Sequence, residues 1–343
     1  MYKFSIIVPV FQAQQHLEEC IDSVIDQEEH NWELILVDDG SPDKSPLICD
    51  TYAERYSQIK VLHEKNEGPL LSRCKGYKAA RGKYILSLDA DDRLKKNALG
   101  KIGKILDQKE VDMLIIGYQK IDNDGQSTSA FCRLPDCIYS GPQKKELLRM
   151  LWKKHAFNLV WNKVIRTDFV QKNLFVPEKL ERVKAGDDAV IVSPLISQAQ
   201  KIGTTSEILY EYRAVPESIS RCFNMQKGTD LILSRTFMFE QLQTADLLSD
   251  ETIFDFYKVT YQTIAYTLWQ CARSSCSKNE KRLFFENMAG QKLYQESLAY
   301  SKTVDFSKRK QISLWLFKHR LFQLFILYEK IQGFMKKVVD HIL

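Results

Sequence analysis

Three short acidic clusters have the residue types and spacing to do chemistry: Asp38-Asp39, Asp89-Ala90-Asp91-Asp92 and Asp187-Asp188. Two carboxylates one residue apart, as in Asp89-Ala90-Asp91, can hold a hard divalent cation, Mg2+ or Mn2+. Phosphate oxygens would then complete the shell. Such an ion neutralises charge building on a departing diphosphate, a Lewis-acid role. Asp39, followed by Gly40-Ser41, is suited to accept hydrogen bonds from a nucleobase or ribose. Arg73 is suited to meet phosphate in a charge-assisted pair. Asp188, about 100 residues beyond Asp89, could act as a general base toward an acceptor hydroxyl. Tyr212-Arg213 and Ser218-Ile219-Ser220 could bring a cation and hydroxyls to the diphosphate. Each feature also has an ordinary reading: helix caps, turn residues, a solvated helix arginine or a strand end. Their order and spacing as a set favour chemistry.

The elements that must position these residues are legible in the pattern. Phe4–Val10 is a continuous apolar run, as expected of a strand buried on both faces. Leu17, Cys20, Ile21, Val24 and Ile25 then mark one helix face. Strand patterns follow at 33–37, 59–63, 84–88 and 111–118, separated by helical ones. Ser41-Pro42 has the form of an N-cap and first helical position. This alternation predicts an α/β fold with a mostly parallel sheet and right-handed crossovers. Ligands of such sheets bind beyond the carboxyl ends of the strands, where the first two acidic clusters lie. The middle, roughly 120–222, is less regular: a short helix around 147–152, a strand at 161–166, an amphipathic helix over 189–199 behind Gly186-Asp187-Asp188, and a strand through Ile208, Tyr210 and Tyr212. Three segments are expected: a catalytic domain over 1–222, a helical region over 223–306 and a basic amphipathic tail over 307–343.

Composition narrows the class. The 343 residues carry a net charge of +5 and are 44% hydrophobic, ordinary for a globular enzyme. Residues 307–343 hold eight Lys or Arg against Glu329 and Asp340, a net +6, which leaves −1 for the rest. A basic grip for nucleic acid over the main body is therefore not supported. Eight cysteines without a CxxC pair read as reduced thiols in a cytoplasmic protein. No signal-peptide pattern precedes the first strand. The longest apolar stretch of the tail, 321–328, is under half the ~20 residues a membrane-spanning helix needs.

Taken together, Ser5-Ile-Ile-Val-Pro-Val-Phe11, Leu36-Val-Asp-Asp-Gly-Ser41, Asn66-Glu-Gly68 with Ser72-Arg73, Ala80-Arg-Gly-Lys-Tyr-Ile85 and Leu88-Asp-Ala-Asp-Asp92 resemble a family 2 glycosyltransferase. The resemblance, to bacterial cell-envelope and exopolysaccharide enzymes in particular, continues through Trp161-Asn-Lys163, Gly186-Asp-Asp188, Tyr212-Arg213 and Ser218-Ile-Ser220. It covers about the first 220 residues. It implies a GT-A (Rossmann-like) fold, a nucleotide-sugar donor, usually UDP-linked, inversion at the anomeric carbon, and Mn2+ or Mg2+ as cofactor. By the same resemblance Pro9, Phe11 and Asp39 would hold the base, with Arg73 near it or the phosphates. Asp89 would touch the ribose, Asp91 of the DXD motif would bind the metal, and Asp188 would be the base. Tyr212, Arg213 and Ser218 would lie near the diphosphate, with Asp187 and Asp92 toward the acceptor or behind the site. Many relatives have Ala-Arg-Asn where this chain has Ser72-Arg73-Cys74, and Gly-Glu-Asp where it has Gly186-Asp187-Asp188. The implied acceptor is a hydroxyl of a glycan or lipid-linked molecule in envelope polysaccharide synthesis. The alternatives are a non-catalytic scaffold or sugar-nucleotide sensor and, with less support, a sugar-1-phosphate nucleotidyltransferase.

The tail interleaves Leu314–Phe317, Leu321, Phe322, Leu324–Tyr328, Ile331 and Phe334 with lysines and arginines. A basic amphipathic helix of this kind reads as a membrane-surface element, which would place the protein peripherally on the inner face of the cell membrane. The alternative is an apolar face packed on the body of the protein or on a second copy in a homo-oligomer.

Overall fold

The computed structural model describes residues 2–214 and 223–342. These form two compact units: residues 2–214 with Met238–Leu247, and residues 223–237 with 248–342.

The first unit is built on one sheet. Its strands are β1 (Phe4–Val10), β2 (Trp32–Asp38), β3 (Ile59–His63), β4 (Tyr84–Ser87), β5 (Arg93–Leu94), β6 (Met113–Ile121), β7 (Ser127–Cys132), β8 (Cys137–Ser140), β9 (Lys163–Arg166) and β10 (Lys201–Arg213). Its helices are α1 (Leu17–Ile25), α2 (Ser45–Arg55), α3 (Pro69–Ala79), α4 (Ala98–Gln108), α5 (Lys144–Lys153), α6 (Thr167–Asn173) and α7 (Asp187–Gln198). The strand order is β3-β2-β1-β4-β9-β6-β10-β5, with β7 on β6 and β8 on β10. The parallel expectation holds across β3-β2-β1-β4 and again for β6 with β10. Between those blocks β9 runs antiparallel to both β4 and β6, which makes the sheet mixed.

The apolar runs end up as predicted for strands covered on both faces. Ile6, Ile7, Val8, Leu34, Ile35 and Leu36 are all fully buried. One buried carboxylate ties the first block together. Glu33 accepts from Ser5 Oγ (2.5 Å), Arg81 N (2.6 Å) and Gly82 N (3.1 Å), which joins the entry of β4 to β1 and β2. A Cβ on Gly82 would lie 2.6 Å from the Phe4 carbonyl carbon, so the Ala80-Arg-Gly-Lys segment needs glycine there.

Two local expectations are corrected. Ser41 does not cap a helix; its N–H donates to Asp38 Oδ1 (3.0 Å) and its hydroxyl to the Val10 carbonyl (3.4 Å). The helix begins four residues later, at the second Ser-Pro pair, where Asp43 accepts from Ser45 N (3.0 Å). The helix behind Gly186 is not amphipathic either. Every residue from Ala189 to Ser197 is buried, because α7 is enclosed on all sides.

The second unit is helical: α8 (Gln226–Thr244, whose last residues belong to the first unit), α9 (Asp250–Arg273), α10 (Lys278–Gly290), α11 (Lys292–Ser297), α12 (Lys308–Lys318) and α13 (Phe322–Ile342). Ser249 and Ser277 open α9 and α10 as reciprocal capping boxes with Thr252 and Glu280. The core gathers Leu231, Ile264, Leu268, Phe285, Phe317 and Phe325. Among the described residues, no helix is long and apolar enough to cross a membrane, and the seven described cysteines are free thiols.

Candidate active site

The candidate site lies at the carboxyl ends of the adjacent strands β2, β1 and β4, where the backbone turns away from the sheet and leaves side chains free to converge. At the end of β2, Asp39 is buried, and its two oxygens accept from Glu67 N (2.8 Å) and Gly68 N (2.9 Å). Gly68, at φ +97°, is the residue before α3, so Asp39 fixes the start of the helix that carries Arg73. Pro9 is half-buried near the end of β1, and Phe11, just beyond, is 41% exposed.

Arg73 is the hub. One face of α3 is buried, and the Arg73 side chain is only 6% exposed. Its Nη2 donates to Asp89 Oδ1 (2.7 Å) and its Nη1 to Asp187 Oδ2 (2.8 Å), with Asp188 Oδ1 at 3.3 Å. One guanidinium thus joins the acidic turn after β4 to the acidic start of α7. Burial by itself would lower the Arg73 pKa, but Asp89, Asp188 and Asp187 outweigh it and hold the group well above the usual arginine value. Its Nε is buried without a partner. The donor-binding role expected of Arg73 therefore meets a guanidinium already engaged by protein carboxylates.

The carboxylates differ in environment. Burial pushes Asp188 up to about 7, opposed by Arg73 and reinforced by Asp187 and Asp89. Asp188 Oδ2 accepts a long bond from Val160 N (3.4 Å). Burial also raises Asp187, again opposed by Arg73. Asp91 is pushed up to about 6 by burial and by neighbouring Asp89. Asp92 is raised well above its usual range by burial, Asp91 and Asp89.

Asp92 faces inward and holds the turn. It accepts from the Tyr210 hydroxyl (2.7 Å) and from Arg213 N (2.6 Å), while Asp89 N donates to the same Tyr210 oxygen (3.1 Å). Arg213 is buried as a strut: its Nε donates to the Asp91 carbonyl (2.8 Å), its Nη1 to the Asn123 carbonyl (2.8 Å) and its Nη2 to Glu19 (2.6 Å). Tyr210 and Tyr212, two apart on β10, both stack on Trp161 at centroid distances of 4.5 and 5.4 Å. Lys163, fully buried, donates to the Ala156 and Leu159 carbonyls and to Asn162 Oδ1 (3.2, 2.5 and 2.9 Å), so it orders the loop that presents Val160 to Asp188. Burial lowers its pKa to about 7, with Asp188 opposing.

The structure therefore brings together Arg73, Asp89, Asp187 and Asp188 directly, and Asp91, Asp92 and Arg213 through the turn after β4. Asp39, Pro9 and Phe11 stand at neighbouring strand ends, and Tyr212 packs on Trp161. Ser218 lies outside the described residues. Sequence reading missed Tyr210 and Glu19 as supports of the turn. The Tyr-x-Tyr alternation on β10 was a usable signal for Tyr210, whereas nothing local links Glu19 to Arg213, 194 residues away.

Asp91 is the residue that would hold a divalent cation: burial, and then neighbouring Asp89, raise its pKa against the opposing pull of Arg213 and Arg73, and a bound cation would favour its ionised form. Among the described residues no cluster of three or more His, Cys, Asp or Glu forms a ready-made cage. An ion there would take much of its shell from ligand phosphate and water, as Mg2+ commonly does.

Residues 5–174 match the family model described as Glycosyl transferase family 2. Over 217 residues the chain is 30% identical to EpsJ, an uncharacterized glycosyltransferase of Bacillus subtilis (strain 168), covering 63% of this chain and 62% of that protein. Over 235 residues it is 29% identical to the glycosyltransferase GlyG of Streptococcus pneumoniae serotype 4, covering 66% and 76%. The match thus spans just under two thirds of the first relative and about three quarters of the second. In structure the chain resembles S. aureus TarS 1-349, solved in complex with UDP-GlcNAc, with a TM-score of 0.66 at 17% identity, over 96% of this chain and 92% of that one. At that identity the likeness shows the fold, which is GT-A.

Proposed function

The chain belongs to glycosyl transferase family 2, and from that premise we propose that it moves a sugar from a UDP-sugar, or another nucleotide sugar, to a hydroxyl of a glycan or lipid-linked acceptor in envelope polysaccharide synthesis, with inversion. The observation that carries the reading is the convergence of Asp89, Asp187 and Asp188 on Arg73. It sets a base candidate beside the acidic turn that would face the diphosphate.

In this reading Asp188 takes the proton of the acceptor hydroxyl. The acceptor oxygen forms its bond to the anomeric carbon as the bond to the diphosphate breaks on the opposite face. A carboxylate raised to about 7 is matched to that task, because a base near the working pH combines a useful ionised fraction with proton affinity. Arg73 positions Asp188 and Asp89 rather than gripping donor itself. Phe11, exposed at the end of β1, offers a face to the base, and Asp39 orders the Glu67–Gly68 turn beside it. Asp91 would hold Mn2+ or Mg2+, which when bound offsets the charge of the departing diphosphate. Holding both reactants in line supplies much of the rate.

The test is UDP binding by thermal shift, with and without Mn2+, together with sugar transfer. Asp188→Asn should keep the UDP shift and lose roughly 10²–10⁴-fold in transfer, the usual worth of a general base. Asp91→Ala should lose the Mn2+-dependent part of the shift. Native transfer by Asp188→Asn would remove the base assignment. A UDP shift without release of UDP from any donor would favour a sugar-nucleotide sensor.

A further inference from the structure

The helices α12 and α13 use only part of their apolar surface in the core of the second unit. Leu314 and Phe317 of α12, and Phe322 and Phe325 of α13, are buried. On the opposite faces, Ile312 and Trp315 are 50% and 54% exposed, and Leu324, Leu327 and Ile331 are 52%, 55% and 49% exposed. The spacing of 324, 327 and 331 places those three on one stripe of α13. A helix apolar on two faces needs two apolar surroundings, and the core supplies one.

Charge on these helices is sorted by face. Between residues 308 and 333 the sequence has six Lys or Arg and a single carboxylate, Glu329. Lys308, Arg309, Lys318, Arg320 and Lys330 are exposed, while the Lys310 ammonium lies over the ring of buried Trp269 (4.7 Å) and so faces the body of the unit. Glu329 is buried, where it accepts from Ser313 Oγ (2.6 Å) and from Arg273 Nε and Nη2 (3.0 and 2.6 Å), and Ser313 in turn accepts from Trp269 Nε1 (3.1 Å). Among the described residues of these two helices, the exposed side chains therefore include large apolar groups and cations and no carboxylate.

We infer that this face docks on an anionic lipid surface, with Trp315, Leu324, Leu327 and Ile331 entering the headgroup boundary and the cations meeting lipid phosphate. Charge complementarity selects this occupant. Two copies pairing through the same patch would crowd like charges together, whereas lipid phosphate supplies the opposite charge. Among the described residues neither helix is long and apolar enough to cross a membrane, and the contact inferred is interfacial. The inference stands apart from the proposed transfer chemistry and goes beyond it by giving the chain a place to work.

The experiment uses the full chain with vesicles of phosphatidylcholine alone and with about a third phosphatidylglycerol. Deleting the tail would strip Leu314, Phe317, Phe322 and Phe325 from the core, so point substitutions at exposed positions are required. The chain should pellet with the anionic vesicles, less so as salt rises. Each cation contributes about fivefold to partitioning on such a surface, so Lys318→Glu with Arg320→Glu and Lys330→Glu should weaken it on the order of 100-fold or more. Leu324→Ser with Leu327→Ser and Ile331→Ser should also release the protein. Trp32, Trp152, Trp161 and Trp269 are buried, which leaves Trp315 as the exposed tryptophan. A blue shift of emission on adding anionic vesicles, absent in Trp315→Phe, would therefore report insertion at the predicted place. An unchanged UDP thermal shift in every variant would show the fold and donor site intact. Equal pelleting with neutral vesicles, pelleting unaffected by both sets of substitutions, or no pelleting would overturn the inference. A dimer in solution abolished by the serine substitutions, without lipid binding, would assign the face to a second copy.

Discussion

Arg73→Met offers a direct test of how the site is held together. The substitution keeps most of the buried volume and removes the cation shared by Asp89 (2.7 Å), Asp187 (2.8 Å) and Asp188 (3.3 Å). Breaking a buried ion pair from one side typically costs 3–5 kcal/mol, because uncompensated charge stays behind. The carboxylates here are 26%, 15% and 21% exposed, so solvent takes up part of that cost. A loss of about 3 kcal/mol at pH 7.5 follows. At roughly 2–4 °C per kcal/mol for a unit of this size, Tm should fall by about 6–12 °C. The penalty should shrink as pH is lowered toward 5. Protons then neutralise the carboxylates that Arg73 no longer serves, and the folded variant binds them more readily than the unfolded chain. Arg73→Lys should recover only part of the loss, since one ammonium cannot reproduce the two-armed geometry. Thermal melts across pH 5–8 read all of this. A drop below about 1 kcal/mol, or one equal at pH 5 and pH 7.5, would refute the view of Arg73 as the charge that closes the site.

Two further outcomes follow from the same geometry. The transfer rate should climb with pH through about 7 and level off above it, as Asp188 loses its proton. Because its folded pKa is raised above the ordinary 3.8, ionising Asp188 costs stability as pH rises from there toward 7. Asp188→Asn should accordingly gain stability relative to the parent over that window, and a parallel pair of melting curves would count against the assignment. Tyr210→Phe removes the hydroxyl that donates to Asp92 and accepts from Asp89 N. It should cost about 2 kcal/mol and weaken the Mn2+ enhancement of UDP binding, and an unchanged Tm with unchanged Mn2+ response would show the turn to be held without it.

Much of the first unit was legible without coordinates, because the relevant signals are local. A seven-residue apolar run makes β1, and a 3.6-residue spacing from Leu17 makes α1. Acidic pairs at strand ends stand where a parallel sheet places ligands, so Asp39, Asp89 and Asp91 could be nominated from type and position. Local signals also misled. Ser41-Pro42 reads as a helix start, yet the Ser41 N–H goes to Asp38 and the helix begins only at Ser45. Likewise α7 looks amphipathic in isolation but is enclosed all round.

What only tertiary structure decided is pairing over long separations. Arg73 reads as a partner for donor phosphate, with a solvated helix arginine as the alternative, until α7, 114 positions away, brings Asp187 to its guanidinium. Arg213 reads as a cation for diphosphate until Glu19 and the turn after β4 occupy it. The insertion of β9 against β4 and β6 depends on sheet order, which no window of sequence encodes. In the tail, sequence supplied the basic and apolar composition, and folding sorted it into a buried stripe, an exposed stripe and one inward carboxylate. Periodicity follows from backbone geometry a few residues at a time and is readable in one dimension. The partner of a buried charge is set by which distant segment must neutralise it, and that is settled only when the chain closes on itself.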